Sequence, residues 1–237
     1  MATNFASRTS NGESPTFPRR HTIRLACYFR RQLDAASFAA LFRPMQGFVT
    51  VAVGTGLAEA EEMCRVTRPH AMLLDASYGA IAACDLAARL LTRELASGVL
   101  LLDDEIRVAR VDCALKITRC GYFTRNSTAD EVCDGVRELL CGNVAVDRQI
   151  APAGVRGHRA LKDAVRRLDD HGFLRLSARE RQVMRMLALG KTAPQIGEAL
   201  GLQVSTVDNH RTRVMKKLGV HKAPRLTQIA MQVGLIE

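Results

Sequence analysis

QVSTVDNHRTRVMKKLGVH, Gln203 to His221, is the stretch on which the reading of this chain turns. It sets one acidic side chain, Asp208, among two arginines, two lysines and two histidines. At about 100° per residue, Val207, His210, Val214 and Leu218 gather on one side of a helix and must face neighbouring helices. Ser205, Asp208, Asn209, Thr212 and Lys216 gather opposite, with Arg213 and Lys217 on one flank and Arg211 on the other. Short hydrogen-bonding groups bordered by cations suit a helix laid in the major groove of DNA. The short groups reach base edges and the cations meet phosphates on both walls. A helix that was merely solvated would more often pair Glu with Lys four residues apart.

The flanking sequence supports the same geometry. Ser177 and Glu180 form a capping-box signature that opens a helix to about Leu189, and Gly190 is its stop. A short helix follows over Ala193–Leu200, with Ile196, Ala199 and Leu200 inward, and Gly201 makes the tight turn into the basic stretch. A fourth helix begins near Pro224 and carries Leu226, Ile229, Ala230 and Val233 along one stripe. The expectation is an all-α, four-helix domain over 173–237 containing a helix-turn-helix. Charge agrees: residues 171–237 hold 11 Lys+Arg against 4 Asp+Glu, a net +7 out of +10 for the chain. A basic terminal module on a nearly neutral body points to a polyanion, with nucleic acid first.

The stretch from FLRLSARERQ to RLTQIA resembles the LuxR-type (NarL/FixJ-like) helix-turn-helix domain. Leu176, Glu180, Val183, Leu187, Gly190, Ile196, Leu200, Thr206, Val207, His210, Val214 and Lys217-Leu218-Gly219-Val220 carry the likeness. The resemblance implies that the helix from Thr206-Val207 reads double-stranded DNA, that the last helix commonly makes a homodimer contact, and that binding falls on paired half-sites. The base-contact candidates are Ser205, Asp208, Asn209 and Thr212. The phosphate-contact candidates are Arg211, Arg213, Lys216 and Lys217, with Lys191 and Thr192 at the entry of the second helix. Two positions depart from the family pattern. Gln203 is a poorer cap than the usual Ser. Asp208 repels phosphate but can accept a hydrogen bond from a cytosine amine. His210 falls on the packed side and reads as an internal hydrogen-bonding residue.

The front two-thirds reads differently. Ile23–Phe29, Phe48–Gly54, Ala71–Asp75, Val99–Asp103 and Cys120–Thr124 are short apolar strands, with helical patterns over 34–45, 57–66 and 81–95. Thr128 and Glu131 cap a closing helix to about Leu140. Strands apolar throughout, alternating with helices, indicate a parallel sheet covered on both faces, with function at its carboxyl ends. The expected fold class is an α/β N-terminal domain, a flavodoxin-like receiver with a five-stranded parallel sheet over 22–141, followed by the all-α domain. Residues 1–21 read as a disordered arm, and 142–172 as a linker with a helix over 159–168. Seven cysteines without a CxxC pair, no signal peptide and no long apolar run favour reduced thiols in a cytoplasmic protein with no membrane partner.

The order of these elements resembles the receiver domain of response regulators. That resemblance implies a phosphoacceptor at Asp75, Mg²⁺ held by an acidic pair after the first strand, a hydroxyl after the fourth and a Lys after the fifth. The metal and Lys would neutralise charge on the phosphoryl oxygens. Here the acidic-pair position falls on Phe29-Arg30, the hydroxyl position at Asp103 and the Lys position on Arg125. An Arg in the metal position would repel Mg²⁺ and is free to pair with Asp75. Asp103, Asp104 and Glu105 are a solvated acidic loop or, with Asp75, a different cation site. The expected function is a sequence-specific, dimeric DNA-binding transcription regulator with a receiver-like domain controlled without phosphorylation, needing no cofactor and performing no catalysis. The alternative is a two-component regulator phosphorylated at Asp75 with Mg²⁺ and served by a histidine kinase. RNA polymerase or another regulator is a further candidate partner, and a protein-interaction adaptor and a Mg²⁺-dependent phosphatase-like enzyme are more distant readings.

Overall fold

The computed structural model describes residues 22–42, 47–152 and 158–237. The arm expected over 1–21 lies outside them. Strands β1 (Ile23–Tyr28), β2 (Phe48–Gly54), β3 (Ala71–Asp75), β4 (Gly98–Asp103) and β5 (Cys120–Thr124) form one parallel sheet in the order β2-β1-β3-β4-β5. Every residue of β3, β4 and β5 is buried, which is why their sequences are apolar without alternation. Met72, Leu74, Leu101 and Tyr122 face one core. Leu73, Leu100, Leu102 and Phe123 face the other.

Helices α2 (Leu57–Thr67), α3 (Ala80–Thr92) and α4 (Val108–Ala114) cover the first face, and α1 (Gln32–Leu41) and α5 (Ala129–Leu140) cover the second. Thr128 starts α5 as its sequence foretold: its amide donates to Glu131 Oε2 at 2.9 Å, and the Glu131 amide donates back to Thr128 Oγ1 at 3.3 Å. The helix expected over 34–45 is shorter, ending at Leu41, and 43–46 lie outside the described residues. The sheet order reverses beside β1 and β3, so their carboxyl ends open a crevice with Asp75 at its floor.

Helix α4 is an addition to the expected pattern. Val108, Ala109, Arg110, Val111 and Ala114 are all buried, because the helix lies between the sheet and the C-terminal domain. With most of its surface covered, it shows no amphipathic stripe. The described part of the supposed linker just after α5 is built into the fold, whereas 153–157 lie outside the described residues. Val146 bridges to Tyr122 in parallel, and the buried Asp147 carboxylate accepts from the Thr124 amide and hydroxyl and from Ser127 Oγ. Helix α6 (His158–Arg167) then packs against α4.

The C-terminal domain comprises α7 (Ala178–Ala188), α8 (Ala193–Leu200), α9 (Val204–Leu218) and α10 (Ala223–Gln232). Its capping box is present: the Ser177 amide donates to Glu180 Oε2 at 2.7 Å and the Glu180 amide donates to Ser177 Oγ at 3.3 Å. Gly201 adopts φ +64° to turn from α8 into α9. The Leu226, Ile229, Ala230 and Val233 stripe of α10 is buried within the fold, with α7 its main neighbour, rather than offered to a second copy.

This domain is seated on the front one. The Ala109 amide donates to the Val233 carbonyl at 2.9 Å, and Arg107 Nη1 donates to the Met231 carbonyl at 2.6 Å. Arg181 of α7 pairs with Asp112 of α4 and lies 4.6 Å from the Phe173 ring centroid. Gly234 has φ +77°, and a Cβ there would sit 2.7 Å from Arg107 Cβ. Gly234→Ala should therefore lower stability by at least about 1 kcal/mol from backbone conformation alone and loosen the seating of the two domains. Urea titration and small-angle scattering check this; an unchanged midpoint and radius of gyration would show that the contact is dispensable.

Candidate functional site

Two sites emerge, the outer rim of α9 and the crevice around Asp75. Val207, Val214 and Leu218 are buried, and Ser205, Asp208, Asn209 and Thr212 are exposed together on the opposite side. The Thr212 hydroxyl donates to the Asp208 carbonyl at 3.0 Å. Arg211, Arg213 and Lys216 are exposed on the same helix, and Lys191 and Thr192 are exposed at the start of α8. The Thr192 amide donates to Gln195 Oε1 at 2.9 Å, fixing that helix start. Gln203 precedes α9 without a side-chain cap hydrogen bond, and its carbonyl accepts from the Thr206 and Val207 amides at 3.0 and 3.1 Å.

Lys217 stands apart from the other cations. Its ammonium donates to Glu180 Oε2 at 2.6 Å and to the Arg175 carbonyl at 3.2 Å, tying α9 to the start of α7. Burial would raise the Glu180 carboxyl, but Lys217 and Ser177 outweigh it and hold the group below the ordinary glutamate value. His210 is half-buried on the packed side as its spacing implied. The internal hydrogen bond expected of it is not formed: its Nδ1 is enclosed without a partner among the described residues.

At the crevice, Asp75 is fully buried. Oδ2 accepts from the Arg30 amide at 3.0 Å, and Oδ1 accepts from the Ser77 amide at 2.9 Å. Arg125, at the end of β5, places Nη2 3.0 Å from Asp75 Oδ2 and Nη1 2.8 Å from Asp34 Oδ2, while Nε lies 3.1 Å from Asp104 Oδ1. One guanidinium thus joins three carboxylates that arise from α1, β3 and the loop after β4. Burial alone would raise the Asp75 carboxyl, but the Arg30 and Ser77 amides, the Ser77 hydroxyl and the Arg125 charge hold it below the usual aspartate value.

The cation paired with Asp75 is therefore Arg125, not Arg30. The Arg30 side chain turns outward, its Nη1 3.5 Å from Glu237 Oε2. Nor does Asp103 join Asp75 in a cation site. It is 2% exposed and faces Arg110, whose Nη1 reaches both its oxygens at 2.9 Å, and the Tyr122 hydroxyl lies 2.7 Å from Oδ2. Among the described residues no group of three or more His, Cys, Asp or Glu is arranged to hold a metal ion. The residues present do not fit the Mg²⁺ that the receiver resemblance implies. Phe29 and Arg30 occupy the carboxylate positions, and a guanidinium lies against the Asp75 carboxylate. Asp34, Arg110 and Tyr122 escaped the sequence reading; only Asp34, in the first turn of a predicted helix, carried a local signal.

Because Asp75 titrates lower when folded than when unfolded, it adds stability above its unfolded value of about 3.9, and that contribution is lost as pH falls through the folded value. Asp75→Asn should accordingly flatten the loss of stability between neutral and acid pH, read by urea titration at a series of pH values. An identical slope in both proteins would mean that these partners do not hold the Asp75 carboxyl below its usual value.

Comparison with known proteins places this geometry. Residues 174–230 match the family described as bacterial regulatory proteins, luxR family. A probable transcriptional regulatory protein NarL of Mycobacterium tuberculosis is 31% identical over 180 residues, covering 76% of this chain and 80% of that protein. The response regulator UvrY of Escherichia coli K12 is 25% identical over 205 residues, covering 86% and 91%. The oxygen regulatory protein NreC of Staphylococcus epidermidis is 27% identical over 207 residues, covering 84% and 93%. In fold, the chain resembles RcsB of Salmonella enterica serovar Typhimurium, solved bound to a promoter in the presence of phosphomimetic BeF3-, with a TM-score of 0.60, 15% identity and coverage of 88% and 98%. No described helix is long and apolar enough to cross a membrane. With a matched helix-turn-helix domain, a receiver-type sheet before it and regulators of that build as relatives over most of its length, the chain belongs to the LuxR family of bacterial regulatory proteins, as a DNA-binding response regulator.

Proposed function

We propose that the chain binds specific DNA sequences as a homodimer through the polar rim of α9, and that its receiver domain controls this binding without phosphorylation of Asp75. The Arg125 guanidinium carries the second half of the reading. It lies 3.0 Å from the Asp75 carboxylate at the phosphoacceptor position and also meets Asp34 and Asp104. A divalent cation there would have to displace a cation already hydrogen-bonded and paired, with no carboxylate at 29 or 30 to receive it. Arg125 thereby ties Asp75, Asp34 and Asp104 to one guanidinium.

The rim of α9 supports the first half. Ser205, Asp208, Asn209 and Thr212 supply base-edge donors and acceptors, and Arg211, Arg213 and Lys216, with Lys191 and Thr192 at α8, supply phosphate contacts. Lys217 is held by Glu180, so its contribution is to fix the pose of α9 rather than to add a further phosphate contact. RcsB has been solved as two dimers bound to two parallel DNAs, which supports paired half-sites for a chain of this fold. With the α10 stripe buried, the exposed Arg225, Gln228, Met231 and Gln232 are the side of that helix left for pairing.

Selection from random duplex DNA with the full chain should enrich one motif with paired half-sites; an adaptor protein would enrich none. Arg213→Ala with Lys216→Ala should weaken binding to all sequences and reduce the salt slope by about 1–2, whereas Asn209→Ala should change preference at one position. Unchanged affinity and slope in the double variant would refute the face assignment. Incubation with a small phosphodonor and Mg²⁺ should leave the intact mass unaltered. A stoichiometric phosphate gain, absent from Asp75→Ala, would overturn control without phosphorylation.

A further inference from the structure

We propose that the outer edge of the sheet, formed by β2 with the flanks of α1 and α2 beside it, docks a second copy of this chain about a two-fold axis normal to the sheet. This contact, which rests on the homodimer reading above, gives that dimer a seam on its front domain. Strand β2 ends the sheet order and pairs only with β1 among the described residues, so its other side presents backbone donors and acceptors. Its sequence, FVTVAVG, holds none of the lysines or prolines that commonly blunt such an edge. Val49 and Val53 are exposed on it. The register with β1 shifts between Leu25 and Ala26, an irregularity that interrupts a continuous ladder, so side chains rather than added strand pairing carry the contact.

The helices on either side present apolar groups toward the same edge. Asp34 of α1 reaches inward to Arg125, and at about 100° per residue Leu33, Ala36 and Ala40 lie on the flank away from it. All three are exposed, Leu33 to 76%. On the other face of the sheet, Glu61 of α2 is directed to Arg89 and Arg93, next to and on α3. Met63 and Val66 fall on the opposite side of α2, and Val66 is 72% exposed. Of the ten large apolar side chains exposed among the described residues, six belong to α1, β2 and α2, so the exposure is gathered at one edge rather than scattered.

Charge selects the occupant. The exposed charges of α2 are ordered along it, with Glu59 and Glu62 in its first half and Arg65 and Arg68 at its end. A two-fold axis normal to the sheet sets the two α2 helices side by side and antiparallel, so each acidic start lies beside a basic end. One surface then serves both copies. The Glu62–Arg65 pair within the helix, at 3.6 Å and with both side chains more than half exposed, is weak enough to exchange for contacts across the axis.

Sedimentation equilibrium of the full chain without DNA should show a concentration-dependent dimer. Leu33→Asp with Met63→Asp, both at exposed positions, should raise its dissociation constant about tenfold or more. A protein carrying Glu59→Lys and Glu62→Lys should be monomeric, as should one carrying Arg65→Glu and Arg68→Glu, while a mixture of the two should form a one-to-one dimer. A photo-crosslinking side chain placed at Val53 should capture α1, β2 or α2 of a second copy. A full chain that stays monomeric at every concentration, a dimer indifferent to both sets of changes, or charge-changed proteins that do not pair on mixing would overturn the edge contact. Capture only of residues 1–21 of the same chain would overturn it too. A dimer abolished by Met231→Asp but untouched by these changes would refute the edge while leaving the homodimer reading in place, with α10 as its contact.

Discussion

Arg110 and Asp103 neutralise one another inside the protein, and the placement of both domains follows from that pair. Each is almost wholly buried, at 5% and 2% exposure, and neither is tolerable there alone. Removing one partner of such a pair typically costs about 3–5 kcal/mol, because the other charge is left unpaired. Arg110 must therefore point back to the end of β4, which fixes the rotation of α4. That rotation turns Asp112 toward Arg181 and leaves the Ala109 amide facing the Val233 carbonyl. The same pairing withdraws Asp103 from the neighbourhood of Asp75. The Tyr122 hydroxyl, against Asp103 and the Arg107 amide, closes the arrangement.

The second ionic cluster, around Arg125, follows a related rule with a different outcome. A single delocalised cation with several donors can serve three carboxylates at once, which a lysine ammonium does less well. In a receiver that takes a phosphoryl group, a metal and a lysine share that task. Here the arginine stands in the lysine's place and meets the carboxylates itself. The sheet and its crevice keep the receiver architecture, with a guanidinium beside Asp75.

Much of this was legible beforehand because the signals were local. Strands β3 and β4 declared themselves by unbroken apolar runs, and the capping pairs Ser177/Glu180 and Thr128/Glu131 marked helix starts that the structure reproduces. The exposed rim of α9 followed from periodicity, since Val207, Val214 and Leu218 fix which side is inward. What escaped was non-local. Helix α4 begins without a capping side chain, and its orphan amide is met by a carbonyl more than a hundred residues later. The supposed linker is held by Asp147, whose partners Thr124 and Ser127 lie on another element. The outward-turned Arg30 meets Glu237, 207 residues away in sequence. No window of sequence contains both members of these pairs.

The Val233 carbonyl beneath α4 means that the boundary between the domains does not coincide with any boundary along the chain. The final residues complete a helix of the front half, so the front half as cut at any interior peptide bond is missing one of its own parts. A fragment ending before the helical domain would keep the sheet and its crevice yet start α4 with an unsatisfied amide and lose the carboxylate beside Arg30. Differences between such a fragment and the whole protein then report on an unfinished receiver as much as on the absence of its neighbour.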